Sequence, residues 1–210
     1  MLSPHLQADL KRVAVLPLVG DGTTMASAQG CDELAPILVA ELGKTGRFEI
    51  VSVNPEDLRS LTGRTGWTGG EILPADFLDS LQRVYGCDAV LFSELSVYRA
   101  NVPLAIGWRM KLVDVRTGLI LWAADREFDA SERTVSADAH HYEGGDRWIW
   151  PWAGAKDDWL MDHSPRRFGQ YAIARTVATL PKRQETVKVL PVATDVPNRR
   201  QNDKNTADQK

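Results

Sequence analysis

Cysteine is scarce in this chain: Cys31 and Cys87 are the whole supply in 210 residues. Two thiols so far apart in sequence make neither a disulfide framework nor a metal knuckle. They read as small buried thiols, and a bridge between them stays open only for an oxidising compartment. Long apolar runs are missing too. No stretch approaches the roughly 18 apolar residues that mark a membrane-spanning helix. Residues 1–10 lack the basic and apolar segments of a signal peptide. Two expectations follow for location: a cytoplasmic protein, or a chain whose export signal lay upstream of Met1. An excess of positive charge is also lacking. The formal net charge is −3, with both signs interspersed, so the chain has no basic footprint for nucleic acid. Catalytic signatures are equally thin, because no Ser or Cys lies in an elbow motif and no His has a placed carboxylate partner.

What is present is an ordinary globular composition, 43% hydrophobic and 25% charged, which excludes whole-chain disorder and fibrous classes. The length fits one domain with appendages: an N-terminal arm at 1–10, a single α/β domain at 11–182, and a disordered tail at 183–210. Residues 12–18 are an almost wholly apolar strand closed by Pro17. A helix over about 31–44 carries the stripe Leu34, Ile37, Leu38 and Leu42, and a second strand covers 47–53. This is a βαβ unit with parallel strands. Asn54-Pro55 starts a brief helix. The Gly- and Thr-rich stretch at 62–70 reads as a mobile loop carrying one Trp. A helix at 74–85 follows, with Phe77, Leu78, Leu81 and Val84 as its buried stripe.

From residue 88 the pattern changes to hairpins. Leu104, Ile106, Trp108, Met110 and Leu112 share one face, while Ala105, Gly107, Arg109 and Lys111 share the other. Leu91, Leu95 and Val97 oppose Glu94, Ser96 and Tyr98 in the same way. Glu94, Arg109, Lys111, Arg126 and Glu127 are then cross-strand charge pairs on the wetter face. Asp114-Val115-Arg116-Thr117-Gly118 is a turn between two strands. Helices are expected at 132–142 and 164–180, the second capped by Ser164. The fold class is α/β (α+β): a mixed sheet of about five strands that opens with a βαβ unit, ends in antiparallel hairpins and is flanked by helices.

Three clusters invite chemistry. Gly20, Asp21, Gly22 and Thr23, in the turn that ends at Thr24, stand between a strand and a helix, where backbone N–H groups cradle phosphates. The stretch lacks the lysine of a P-loop and the third glycine of a dinucleotide fingerprint, so a helix-entry turn is the simpler reading and a small-ligand or nucleotide site the alternative. Asp138, His140, His141, Glu143 and His163 suggest metal, but adjacent histidines on a helix point about 100° apart. No metal and no cofactor are expected. Trp148, Trp150, Trp152 and Trp159 crowd an irregular segment near 144–160. Trp is enriched at interfaces, so these four are candidate partner-binding residues, unless the segment folds back as a lid on the chain's own sheet.

Residues 11–18 (KRVAVLPL), 38–52 (LVAELGKTGRFEIVS), 85–95 (YGCDAVLFSEL) and 112–124 (LVDVRTGLILWAA) resemble a family of bacterial envelope lipoproteins. That family includes the curli-secretion subunit CsgG, and more distantly the N-terminal domain of TolB and the penicillin-binding-protein activator LpoB. The resemblance implies a mixed sheet flanked by helices and a non-enzymatic role in envelope assembly, secretion or regulation. It further implies export with a lipid anchor on a cysteine upstream of Met1; together with the thin catalytic signatures it leads to the expectation of a periplasm-facing domain that binds a protein partner, a homo-oligomer being one form of that. No cysteine stands near Met1 and long amphipathic hairpins are missing, so a membrane pore is not carried over.

Overall fold

A computed structural model describes residues 6, 9–20, 22, 24–142 and 161–182. Its centre is one six-stranded mixed sheet in the order β3-β1-β4-β5-β6, with β2 also paired to β4. The strands are β1 (Arg12–Val15), β2 (Val19–Gly20), β3 (Glu49–Ser52), β4 (Ala89–Arg99), β5 (Ala105–Asp114) and β6 (Ile120–Asp129). β1 pairs in parallel with β3 and β4, whereas β4-β5-β6 are antiparallel. The expected βαβ opening and closing hairpins are both present. Pro17 interrupts the first strand without ending it, because the chain resumes as β2 alongside Glu94 and Leu95.

Helices flank the sheet: α1 (Met25–Lys44), α2 (Pro55–Thr62), α3 (Phe77–Tyr85), α4 (Arg133–His140) and α5 (Pro165–Val177). α1 begins six residues before the expected Cys31. Thr24 caps it, its side chain accepting from Ser27 N at 3.1 Å, and the small residues Ser27 and Gly30 extend the buried stripe where hydrophobic periodicity is silent. The other caps follow the sequence. Asn54 accepts from Glu56 N, and Ser164 from Arg167 N.

Alternation along the strands divides the core in two. On one face Val13, Val15, Leu91, Ile106, Trp108, Met110 and Leu112 pack under α1 and α5. On the other, Ala14, Val90, Phe92 and Val113 pack under α2 and α3. Cys31 belongs to the first cluster and Cys87 to the second, so the sheet separates two reduced thiols and a bridge between them is sterically out of reach. Burial pushes the Cys87 thiol up to about 11, which keeps it protonated and inert.

α5 crosses α1 closely. A Cβ on Gly169 would lie 2.4 Å from Leu34 Cδ2, so only glycine fits without displacement. Phe168, Tyr171, Ile173, Val177 and Leu180 are all buried, as their spacing predicts. Two expectations fail. Val84 is 56% exposed, since the short α3 buries only Phe77 and Leu81 against the sheet. The Gly/Thr-rich stretch is packed instead of mobile: Trp67 is buried, meets Phe77 edge-on at 5.3 Å and donates Nε1–H to Thr62 Oγ1 at 2.9 Å.

Candidate functional site: a polar sheet face

The layer made by α2, α3 and the loop after α2 does not reach across the whole sheet. It stops at Lys111, whose ammonium donates to the carbonyl of Gly69. Beyond that point β4, β5 and β6 present a polar face. Arg109 stands at its centre, donating Nη1–H to Glu94 Oε1 at 3.1 Å and Nε–H to Asp125 Oδ2 at 3.0 Å. The Asp125 hydrogen bond and the charges of both acids hold the guanidinium firmly protonated. Next along the face Arg99 grips both oxygens of Asp129, at 2.8 and 2.9 Å. The Asp129 carboxyl lies below the usual carboxylate range, first because Ser131 hydrogen-bonds to it and then because of Arg99. Ser131 N donates to it at 2.8 Å.

The register explains these pairs and corrects the sequence reading. A bulge between Leu95 and Val97 turns Tyr98 onto the buried face, where its hydroxyl donates to Glu33 on α1 at 3.2 Å. Val97 and Arg99 consequently join Glu94 on the open face. Alternation alone puts Val97 and Tyr98 on the wrong sides, because a bulge adds one residue to one strand only. Arg126 opposes Trp108 and lies over the Phe128 ring at 5.5 Å, so it is not part of the open face either. Asp125, which the sequence reading omits, supplies the carboxylate. Position 125 was findable, since it alternates with Glu127 on the same strand.

The Asp-Val-Arg-Thr-Gly turn is a structural device. Asp114 is 3% exposed, and its Oδ1 accepts from Arg116 N, Thr117 N and Thr117 Oγ1 at 2.8–2.9 Å. Gly118 closes the turn with φ near 67°, the left-handed conformation glycine adopts freely. The neighbouring apolar side chains Leu119 and Ile120 are exposed, at the start of β6. No further strand pairs with β6 among the described residues, so a ten-residue edge borders the polar face. An unpaired edge is a template for strand addition.

The other candidates fall as follows. Gly20 lies against α1: a Cβ there would sit 2.3 Å from Ser27 Oγ, so this glycine serves close strand–helix packing. Gly22 has φ near 71°, while Asp21 and Thr23 lie outside the described residues. Trp148, Trp150, Trp152 and Trp159 also lie outside them, as does Glu143. Asp138 is occupied by the Tyr171 hydroxyl at 2.8 Å and by Arg175 at 2.5 Å. Burial first, then Asp138, drives the Tyr171 phenol up to about 12. His140 Nε2 meets Asp162 at 2.9 Å, and His141 Nδ1 faces the Ala137 carbonyl. Among the described residues no group of three or more His, Cys, Asp and Glu is placed to hold a metal.

No family model matches the chain, and no curated protein matches it by sequence. Solved structures do match. The PelC dodecamer from Paraburkholderia phytofirmans is 16% identical, with a TM-score of 0.50 over 88% of this chain and 96% of that one. Lipoprotein GNA1162 from Neisseria meningitidis is 17% identical, with a TM-score of 0.41 over 71% of this chain and 92% of that one. The LpoB C-terminal domain from Salmonella enterica is 22% identical, with a TM-score of 0.37 over 56% of this chain and 82% of that one. At these identities the likeness to PelC shows a shared fold, a mixed α/β sheet domain.

Proposed function

We propose that this chain is a non-enzymatic protein-binding domain of the bacterial cell envelope, working through self-association or a protein partner in assembly, secretion or regulation. The observation that carries this reading is the face of β4-β5-β6 that no other described element covers, with its ordered Glu94–Arg109–Asp125 ladder beside an edge of β6 that no described strand pairs. Exposed ion pairs contribute little to folding, so a row of them on a flat sheet suits electrostatic recognition better than stability. The shared fold with PelC, described as a dodecamer, supports homo-oligomerisation. The resemblance of the four segments at 11–18, 38–52, 85–95 and 112–124 to envelope lipoproteins supports a periplasm-facing location with a lipid anchor in the full precursor. Among the described residues no helix is long and apolar enough to cross a membrane.

Fractionation of the native host with intact-mass measurement of the recovered protein tests the location. An envelope fraction carrying an acylated cysteine upstream of Met1 is expected. A protein that begins at Met1 and stays in the cytoplasm would overturn the envelope reading.

A further inference from the structure

A second feature lies at the opposite side of the sheet from the ion-pair ladder. β1 leads to α1 on one face, whereas β3 leads to α2 on the other. Between the carboxyl ends of these neighbouring strands the connections part, and there a cleft of about 330 Å³ opens. Open α/β sheets bind ligands at such topological switch points, and the volume is at the small-molecule end of the usual range. Leu16, Leu18, Ala35, Val39 and Val53 make the walls apolar.

The cleft has few polar or charged side chains. Pro17, Pro36 and Pro55 line it, and proline has no N–H to offer. The N–H of Leu16 is used by the Leu91 carbonyl, and that of Val53 by the Val15 carbonyl. Pro36 lies inside α1, so the carbonyl of Asp32 receives no i→i+4 hydrogen bond. Among the described lining residues the one charged side chain is Asp32. It is exposed, and no hydrogen bond or ion pair engages its carboxylate among the described residues. Apart from the exposed Ser52 hydroxyl, the lining side chains offer no oxygen- or nitrogen-based donor.

We propose that this cleft binds a small aliphatic amine, with the alkyl chain against the apolar walls and the ammonium on the Asp32 carboxylate at the rim. Phosphates, nucleotides and fatty acids are disfavoured there, because their negative charge would meet the Asp32 carboxylate with no cationic side chain among the described lining residues to offset it. This site is independent of the protein-contact reading and would stand if that reading failed.

Methyl NMR titration of the full chain with n-octylamine, 1-octanol and octanoate tests it. Octylamine is expected to bind about tenfold or more tightly than octanoate, a difference of about 1.4 kcal/mol. Its shifts should be confined to the methyls of Val15, Leu18, Val39 and Val53. Asp32→Asn, at an exposed position, should bring amine and alcohol within about twofold of each other, the charge term having been removed. Ala35→Trp should block the apolar part for all three probes. Octanoate binding as well as octylamine, or an amine preference that survives Asp32→Asn, overturns the proposal.

Discussion

Arg99 reaches Asp129 across an intervening strand: both face Ala105 in register, one from β4 and one from β6, and the small alanine between them lets the guanidinium close on both carboxylate oxygens. The pair ties the far ends of three strands together on the open face.

Its pH dependence has a definite sign. Asp129 is depressed in the folded chain, chiefly by Ser131 and then by Arg99, so its contribution is fully present above the unfolded carboxylate value of about 3.9. It disappears as pH falls through the lower folded value. Urea midpoints of the wild type and Asp129→Asn should therefore differ at pH 7 and converge in strong acid. A gap that does not change with pH would exclude the ionised pair as its cause.

Two buried indoles should respond in the reverse order of their burial. Trp108 is fully buried, yet its Nε1–H has no partner among the described residues, whereas Trp122 donates to Thr179 Oγ1 at 3.2 Å. An unpaired buried donor carries a penalty of about 1–3 kcal/mol, which Trp108→Phe relieves while losing packing. Trp108→Phe is thus expected to be milder than Trp122→Phe in denaturant melts, although Trp108→Ala should cost about 3–5 kcal/mol. The opposite order would show that Trp108 packing dominates.

At Gly169 the propensity rule should reverse. Alanine normally favours a helix interior by about 1 kcal/mol over glycine, but here its Cβ would strike Leu34. Gly169→Ala is expected to destabilise by about 1–3 kcal/mol. Pairing it with Leu34→Ala should make the double variant better than the sum of the two single ones. Strict additivity in that cycle would mean the two side chains do not meet.

Arg109→Glu places a third acid between Glu94 and Asp125. Folding stability should fall by no more than about 1–2 kcal/mol, because Arg109 and Asp125 are exposed. Association measured by sedimentation velocity should weaken by more than tenfold. Unchanged association would remove the ladder from the contact.

Most of the fold was legible because it rests on local chemistry: the period-2 alternation of β5, the Asn54-Pro55 and Ser164-Pro165 starts, and the buried stripe of α5. What escaped was set by single residues or by tertiary contact. The bulge at Leu95/Val97 moved Tyr98 across the sheet without a glycine to announce it. The start of α1 depends on small buried residues that hydrophobicity does not mark. Trp67 found an aromatic partner in Phe77 that a Gly/Thr-rich composition conceals. The candidate surface was half legible, since Glu94 and Arg109 were on the expected face, while Asp125 and the register that joins all three needed the strand pairing.

The most direct test of the protein-contact reading is site-specific photocrosslinking in the native host, with a benzophenone side chain at Ala123, exposed on the open face opposite Lys111. A matched probe at Glu56 on the exposed side of α2 serves as control. The predicted result is a discrete protein adduct from position 123, to a second copy of the chain or to one envelope protein, that is lost with Arg109→Glu and absent from position 56. No adduct from position 123, or equal adducts from both positions, would contradict it.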